Sequence, residues 1–221
     1  MSQMNNINKY TSKQDLIRKL ELTKPKIILL SGRTCTGKTT LSKELSRELD
    51  MKILELDDFV LGNVIEKMNL PKQGIYSEIF KKIYSDENNN EYQKMFIDAF
   101  REFLLKNNDS IIIEGSIHNP KIIKLLGDDF EIVFLHPVDL KSYSKRVQKR
   151  FESGVCDGTS GLTNRFWDYV TKEQIGEYCK TKKVTDEIVE NIAKFSLEIQ
   201  DKSLNRINKI ASFSKIKVLE V

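Results

Sequence analysis

Apolar residues recur along this chain in two rhythms. Short runs that are apolar on both faces, as strands buried in a parallel sheet require, occur at Ile27-Ile28-Leu29-Leu30-Ser31, Ser110-Ile111-Ile112-Ile113 and Glu131 to Leu135. Met51 to Leu56 is a shorter candidate, and Lys215 to Val221 reads as a fifth, edge strand. Between them the spacing turns helical. Leu41, Leu45 and Leu49 follow the first strand at four-residue intervals. Tyr92, Met95, Phe96, Ala99, Phe100, Phe103 and Leu104 make one apolar stripe along Glu91 to Lys106. Leu140, Tyr143, Val147 and Phe151 do the same over Asp139 to Phe151, and Ile188, Ile192, Phe195 and Ile199 over Val184 to about Ala211.

The remaining segments are punctuation. Residues 1–12 read as a loose tail, and Ser12 to Leu22 as a short helix with Leu16, Ile17 and Leu20 on one face, ended by Pro25. Residues 63–84 read as a broken helix interrupted by Pro71 and Gly74. Asn119 and Pro120 suit the cap and first residue of another short helix. Ser153 to Thr163 carries Gly154, Gly158 and Gly161 and reads as a mobile loop.

Strands alternating with helices predict an α/β fold, a five-stranded parallel sheet with helices on both faces. The chain divides into a leading segment, 1–24, and a single domain, 25–221, with a lid around 145–170. At 221 residues it can bury a full core without staples. A hydrophobic fraction of 39% and a charged fraction of 31% describe a globular chain. The net charge of +4 suits an anionic small ligand and makes no case for nucleic acid.

Cys35, Cys156 and Cys179 form no paired spacing, which suggests a reducing compartment. The polar start, Met1-Ser2-Gln3-Met4-Asn5-Asn6, is unlike a signal peptide, and no run approaches a membrane span. A cytoplasmic location is the expectation.

The chemistry begins where the first strand ends. Gly32-Arg33-Thr34-Cys35-Thr36-Gly37-Lys38-Thr39 is the phosphate-binding loop pattern, glycine, four residues, then Gly-Lys-Ser/Thr. Strand before and helix after are the context it needs, and they make the fold a three-layer P-loop NTPase. Gly37 lets successive N–H groups turn toward an anion. Lys38 brings a positive charge to the outer phosphates, and Thr39 offers a hydroxyl to magnesium. Thr40 extends the set, and the helix following the loop aims its positive end at the same place. ATP and magnesium are the implied cofactors.

In an open parallel sheet, ligands bind at the carboxyl ends of strands. The second strand ends in Asp57-Asp58 and the third in Glu114. One carboxylate could accept the proton of an attacking hydroxyl while another helps hold the metal. Either aspartate could instead cap a turn, and Glu114 could be a solvated strand end. Arg146 and Arg150 lie four apart on one helix face leading into the glycine-bearing loop, with Arg165 beyond it. Such arginines can close over phosphates, or simply form a solvated basic face with Lys145 and Lys149. His118 and His136 are isolated, and Trp167 suits packing.

These motifs resemble the P-loop small-molecule kinases, particularly the uridine kinase and nicotinamide riboside kinase group. The loop is similar to their Gly-x-Thr-x-Ser-Gly-Lys-Ser/Thr, Asp57-Asp58-Phe59 to their Asp-x-Phe, and Ile113-Glu114-Gly115 to their Glu-Gly. Arg146 and Arg150 resemble the arginines that start their lid. The resemblance implies Asp57 as base and Glu114 and Thr39 around magnesium; from the residues themselves, Asp57 is also a candidate metal neighbour, and Lys38, Arg146 and Arg150 are candidates to act on the transferring phosphate. Val60 stands where that group has tyrosine.

The function this implies is ATP-dependent transfer of the γ-phosphate to a hydroxyl of a nucleoside-like or other small metabolite. Two other readings share the loop. Thr34-Cys35-Thr36 and Leu56-Asp57 also resemble the isopentenyltransferases, which prenylate an adenine amino group, although Arg33 replaces their proline. A non-catalytic ATP-binding regulatory module is the third. A kinase acting on a nucleic-acid end or a nucleotide sugar is a further variant of the first.

Overall fold

The computed structural model describes residues 8–33, 35–68, 82–83, 91–115, 120–126, 129–152, 172–181 and 216–221, with isolated positions between 185 and 198. Six parallel strands, β1 (Asn8–Tyr10), β2 (Ile27–Ser31), β3 (Lys52–Glu55), β4 (Ile111–Glu114), β5 (Phe130–His136) and β6 (Ile216–Glu220), form one sheet in the order β1-β6-β5-β2-β4-β3. The helices are α1 (Lys13–Thr23), α2 (Lys38–Leu49), α3 (Leu56–Val60), α4 (Glu91–Lys106), α5 (Pro120–Leu125), α6 (Leu140–Glu152) and α7 (Lys172–Thr181). A π-helical turn, Leu61–Ile65, continues α3.

The two-faced strands explain the three layers. On one side of the sheet, Ile27, Leu29, Ile111, Ile113, Ile132 and Phe134 pack with Phe96 and Phe100 of α4. On the other, Ile28, Leu30, Ile112, Val133 and Leu135 pack with Leu16 and Leu20 of α1 and Leu41 and Leu45 of α2. Successive strand residues thus feed opposite cores, which is why the central runs carry no polar alternation. Local signals set the helix ends. Ser12 caps α1 by accepting from the Asp15 N–H at 3.1 Å, and Asp139 caps α6 by accepting from the N–H groups of Lys141 and Ser142.

The sheet has six strands rather than five, and the sixth comes from the segment read as a loose tail. Asn8–Tyr10 pairs with Lys217–Leu219, so β6 is an inner strand. Tyr10 anchors it. The ring is 3% exposed, its hydroxyl donates to Glu131 Oε2 at 2.9 Å, and Lys217 Nζ donates to Glu131 Oε1 at 3.1 Å. The ammoniums of Lys19 and Lys217 stand 5.3 and 5.4 Å from the ring centroid. Burial, followed by the Glu131 carboxylate, pushes the Tyr10 hydroxyl well above the ordinary tyrosine range. Three residues are too few for a period to show in the sequence.

The second strand also ends earlier than its apolar pattern suggests. Leu56 opens α3, so Asp57 and Asp58 lie in the first turn of a helix. Five residues cannot hold a helix alone. Phe59 fixes it, edge-on to Phe96, Phe100 and Phe103 of α4 at centroid distances of 5.9, 5.7 and 5.6 Å.

Of the expected lid, the portion through Glu152 is the end of α6, and the remainder lies outside the described residues. The long helical pattern from Val184 is described only at isolated positions. Cys35 forms no disulfide, while Cys179 is disulfide-bonded, so the reading of unpaired cysteines is corrected at Cys179. Among the described residues, no helix is long and apolar enough to cross a membrane.

Candidate active site

The loop between β2 and α2 bends through three left-handed positions, Gly32 (φ 139°), Cys35 (φ 66°) and Gly37 (φ 94°). Alternating handedness of this kind turns successive amides toward one side and makes an anion-binding concavity. Gly32 also meets the neighbouring strand closely, because a Cβ there would lie 2.8 Å from the Leu135 carbonyl oxygen. The Arg33 carbonyl gathers the loop. It accepts from the Thr36 N–H at 3.3 Å, from Thr36 Oγ1 at 2.7 Å and from Lys38 Nζ at 3.0 Å. The Lys38 ammonium is therefore folded into the loop rather than out to solvent. Thr36 is buried, Arg33, Cys35 and Lys38 are half-buried, and Gly37, Thr39 and Thr40 are exposed. Thr34 lies outside the described residues.

The first turn of α2 meets β4. Thr39 Oγ1 donates to Glu114 Oε1 at 2.6 Å, and Ser42 Oγ lies 2.9 Å from Glu114 Oε2. Ser42 was not singled out in the sequence, although it lies three residues past Thr39 and so shares its helix face. Magnesium takes most of its oxygen ligands from water and phosphate and few from protein. Thr39 Oγ1 and the Glu114 carboxylate are adjacent hard oxygen donors and fit such an ion. Among the described residues, no group of three or more His, Cys, Asp or Glu could cage a metal without a phosphate.

Glu55 is the other residue the sequence did not reveal. It is the last residue of β3, and its register partner on β4 is Glu114. Partial desolvation, then Glu114 and Asp58, hold its carboxyl above the usual carboxylate range, Lys43 pulls it back, and Asp57 adds a smaller upward push. Glu55, Asp57, Asp58 and Glu114 therefore share one electrostatic neighbourhood at the carboxyl end of β3 and β4. Asp57 and Asp58 are both exposed there. Their helix is seated by Leu56, whose Cδ1 would be 2.6 Å from a Cβ placed on Gly115.

Hydrogen bonds thus join Lys38 to the loop and Thr39 to Glu114, and the strand register brings Asp57 close by. Arg146 is exposed on α6, with its guanidinium 5.9 Å from the Tyr143 ring centroid. Arg150 is one turn further along that helix, and Arg165, His118 and Trp167 lie outside the described residues. A groove of about 350 Å³, lined by Thr39, Thr40, Lys43, Glu44 and Arg47, leads away from the loop along α2.

No protein-family model and no curated protein sequence matches the chain. Solved structures do. Shikimate kinase from Bacteroides thetaiotaomicron superposes with a TM-score of 0.51 at 13% identity, over 88% of this chain and 85% of that one. The likeness is one of fold. Shikimate kinase from Acinetobacter baumannii, solved with shikimate, gives 0.47 at 15% identity over 93% and 87% of the two chains. A gluconokinase from Sinorhizobium meliloti gives 0.43 at 11% over 89% and 83%. The P-loop α/β fold read from the sequence is the fold of the first of these. Its finer resemblance to the uridine and nicotinamide riboside kinases gains no specific support from them.

Proposed function

We propose that this chain is an ATP-dependent phosphotransferase that moves the γ-phosphate to a hydroxyl of a small metabolite, with magnesium bound at the phosphates. The observation that carries the reading is the Thr39–Glu114 hydrogen bond beside a loop that already encloses Lys38. It brings a hydroxyl, a carboxylate and an ammonium to the mouth of one anion-binding turn, the set that phosphoryl transfer uses.

In this reading the loop amides and Lys38 hold the β- and γ-phosphates. Thr39 and Glu114 hold magnesium, which supplies charge neutralisation at the phosphates when bound. Asp57 accepts the proton of the acceptor hydroxyl as its oxygen bonds to the γ-phosphorus and the bridging oxygen leaves with ADP. Arg146 and Arg150 are assigned to the charge that develops on the transferring group. Nucleoside-like compounds are the first acceptors to try. The fold shared with a shikimate kinase adds hydroxy acids to them. We also place the protein in the cytoplasm, because ATP is plentiful there; the Cys179 disulfide withdraws the argument from unpaired cysteines.

The test is ADP release from ATP and magnesium with a panel of nucleosides, sugars, sugar phosphates and hydroxy acids. Stimulation by one class, abolished by Lys38→Ala, is the expected result. Nucleotide binding and turnover untouched by Lys38→Ala would overturn the reading.

A further inference from the structure

The groove along α2 belongs to no role assigned so far. It starts at Thr39 and Thr40, at the mouth of the phosphate loop, and runs to Arg47. At 1.5 Å per residue, Lys43 lies about 6 Å and Arg47 about 12 Å along the axis from Thr39. Its charges are arranged in one sense. Lys43 and Arg47 are four apart and therefore share a face. Lys43 forms no hydrogen bond or ion pair among the described residues, and its side chain is exposed. Arg47 is ion-paired with its neighbour Glu48 at 3.3 Å on the exposed surface, where such a pair is weak. The one carboxylate in the lining, Glu44, is already paired with Lys13 of α1. The groove therefore presents Lys43, an Arg47 held only in an exposed ion pair that a stronger anion can displace, and a neutralised acid.

Its position says which ligand it serves. α2, which carries both cations, packs against β3 and β4, whose carboxyl ends bring Glu55, two residues before Asp57, beside Glu114. That is the side of the loop on which the proton acceptor for the incoming hydroxyl stands.

Resting on the phosphotransferase reading, we infer that the acceptor carries a phosphate monoester, held by Lys43 and Arg47 in the α2 groove while its hydroxyl faces the γ-phosphate. A dianion matches two cations, whereas a carboxylate would match one. Lys43 and Arg47 would then be specificity-determining residues, acting on acceptor binding rather than on the bond made or broken.

The experiment compares each neutral acceptor with its phosphorylated counterpart, such as ribose with ribose 5-phosphate and adenosine with AMP, on the full chain and on Lys43→Ala/Arg47→Ala. Preference for the phosphorylated partner is expected. In the double variant the acceptor KM should rise about tenfold or more, while kcat and the ATP KM move less than about twofold. A preference for neutral or carboxylate acceptors, an unchanged acceptor KM, or a rise confined to the ATP KM would overturn the inference.

A second measurement separates its failure from failure of the kinase reading. Inorganic phosphate is titrated calorimetrically into the full chain saturated with magnesium and a non-hydrolysable ATP analogue. Binding that is weakened about tenfold in the double variant supports the groove even if no acceptor is turned over. Absent binding, or binding equal in both proteins, overturns it.

Discussion

Thr39 and Glu114 stand 75 residues apart in the chain, yet Oγ1 of the first donates a 2.6 Å hydrogen bond to Oε1 of the second. The bond crosses from the first turn of α2 to the end of β4, two elements that the parallel pairing of β2 with β4 brings side by side. An ion that takes both oxygens must replace this bond, so metal and hydroxyl compete for one carboxylate.

That competition makes Glu114→Gln informative. The amide keeps the shape and can still meet Thr39, but it removes the negative charge. Turnover at saturating ATP should fall about 10–100-fold, with the larger loss at low magnesium. Nucleotide affinity without magnesium should be nearly unchanged. A magnesium titration of kcat with wild type and variant decides the matter, and superimposable curves would remove Glu114 from the metal site.

Asp57 distinguishes an enzyme from a nucleotide sensor. Asp57→Asn leaves the α3 turn intact but cannot take up a proton. In a kinase, kcat should fall roughly 10²–10⁴-fold while the ATP Kd stays within about twofold. Unchanged turnover would pass the base to Asp58 or dismiss it.

Gly115 reaches Asp57 through packing. A methyl group there would lie 2.6 Å from Leu56 Cδ1 and 2.9 Å from Leu56 Cβ. Leu56 is wholly buried and begins α3, so the helix that carries Asp57 must shift. Gly115→Ala should cost about 1–3 kcal/mol of stability. It should also lower kcat more than it raises the ATP KM. Urea unfolding with steady-state kinetics tests both, and a variant of wild-type stability would show that Leu56 can move without consequence.

Glu55 supplies a pH dependence. Its folded carboxyl is raised by partial desolvation first, then by Glu114 and Asp58. A raised group is favoured in its protonated form, so its contribution is fully present below the unfolded glutamate value, near 4.5, and is lost as pH rises through the folded value. Ionised Glu55 is therefore disfavoured at the strand end at neutral pH. Glu55→Gln should melt at a higher temperature than wild type at pH 7, and the gap should close as pH approaches 4. A gap independent of pH would point to packing.

Much of this site could be read before any coordinates. The loop was legible because each of its positions has a separate physical duty at fixed spacing. Glu114 stood out because an acidic residue ends a run of three isoleucines. The bounds of α4 fall where its apolar stripe begins and ends. Glu55 was hidden because its meaning lies in the register between β3 and β4, and a sequence does not display register. Asp57 was placed at a strand end, whereas Leu56 turns the chain into a helix because Gly115 and the phenylalanines of α4 offer a seat for it and for Phe59. Tyr10 was invisible for a related reason. Its partners, Glu131 and Lys217, come from distant stretches and carry no local pattern.

The pairing of Asn8–Tyr10 with Lys217–Leu219 also orders events during synthesis. β1 leaves the ribosome about 200 residues before β6, its one neighbour in the sheet among the described residues. At about 5–20 residues per second, Tyr10 waits on the order of 10–40 s before Lys217 is even translated. The proposed nucleotide site, at the ends of β2, β3 and β4, has all its strands available by then. A nascent chain stalled short of β6 should therefore present an assembled phosphate loop beside an open edge on β5, the surface a chaperone would have to shield until β6 arrives.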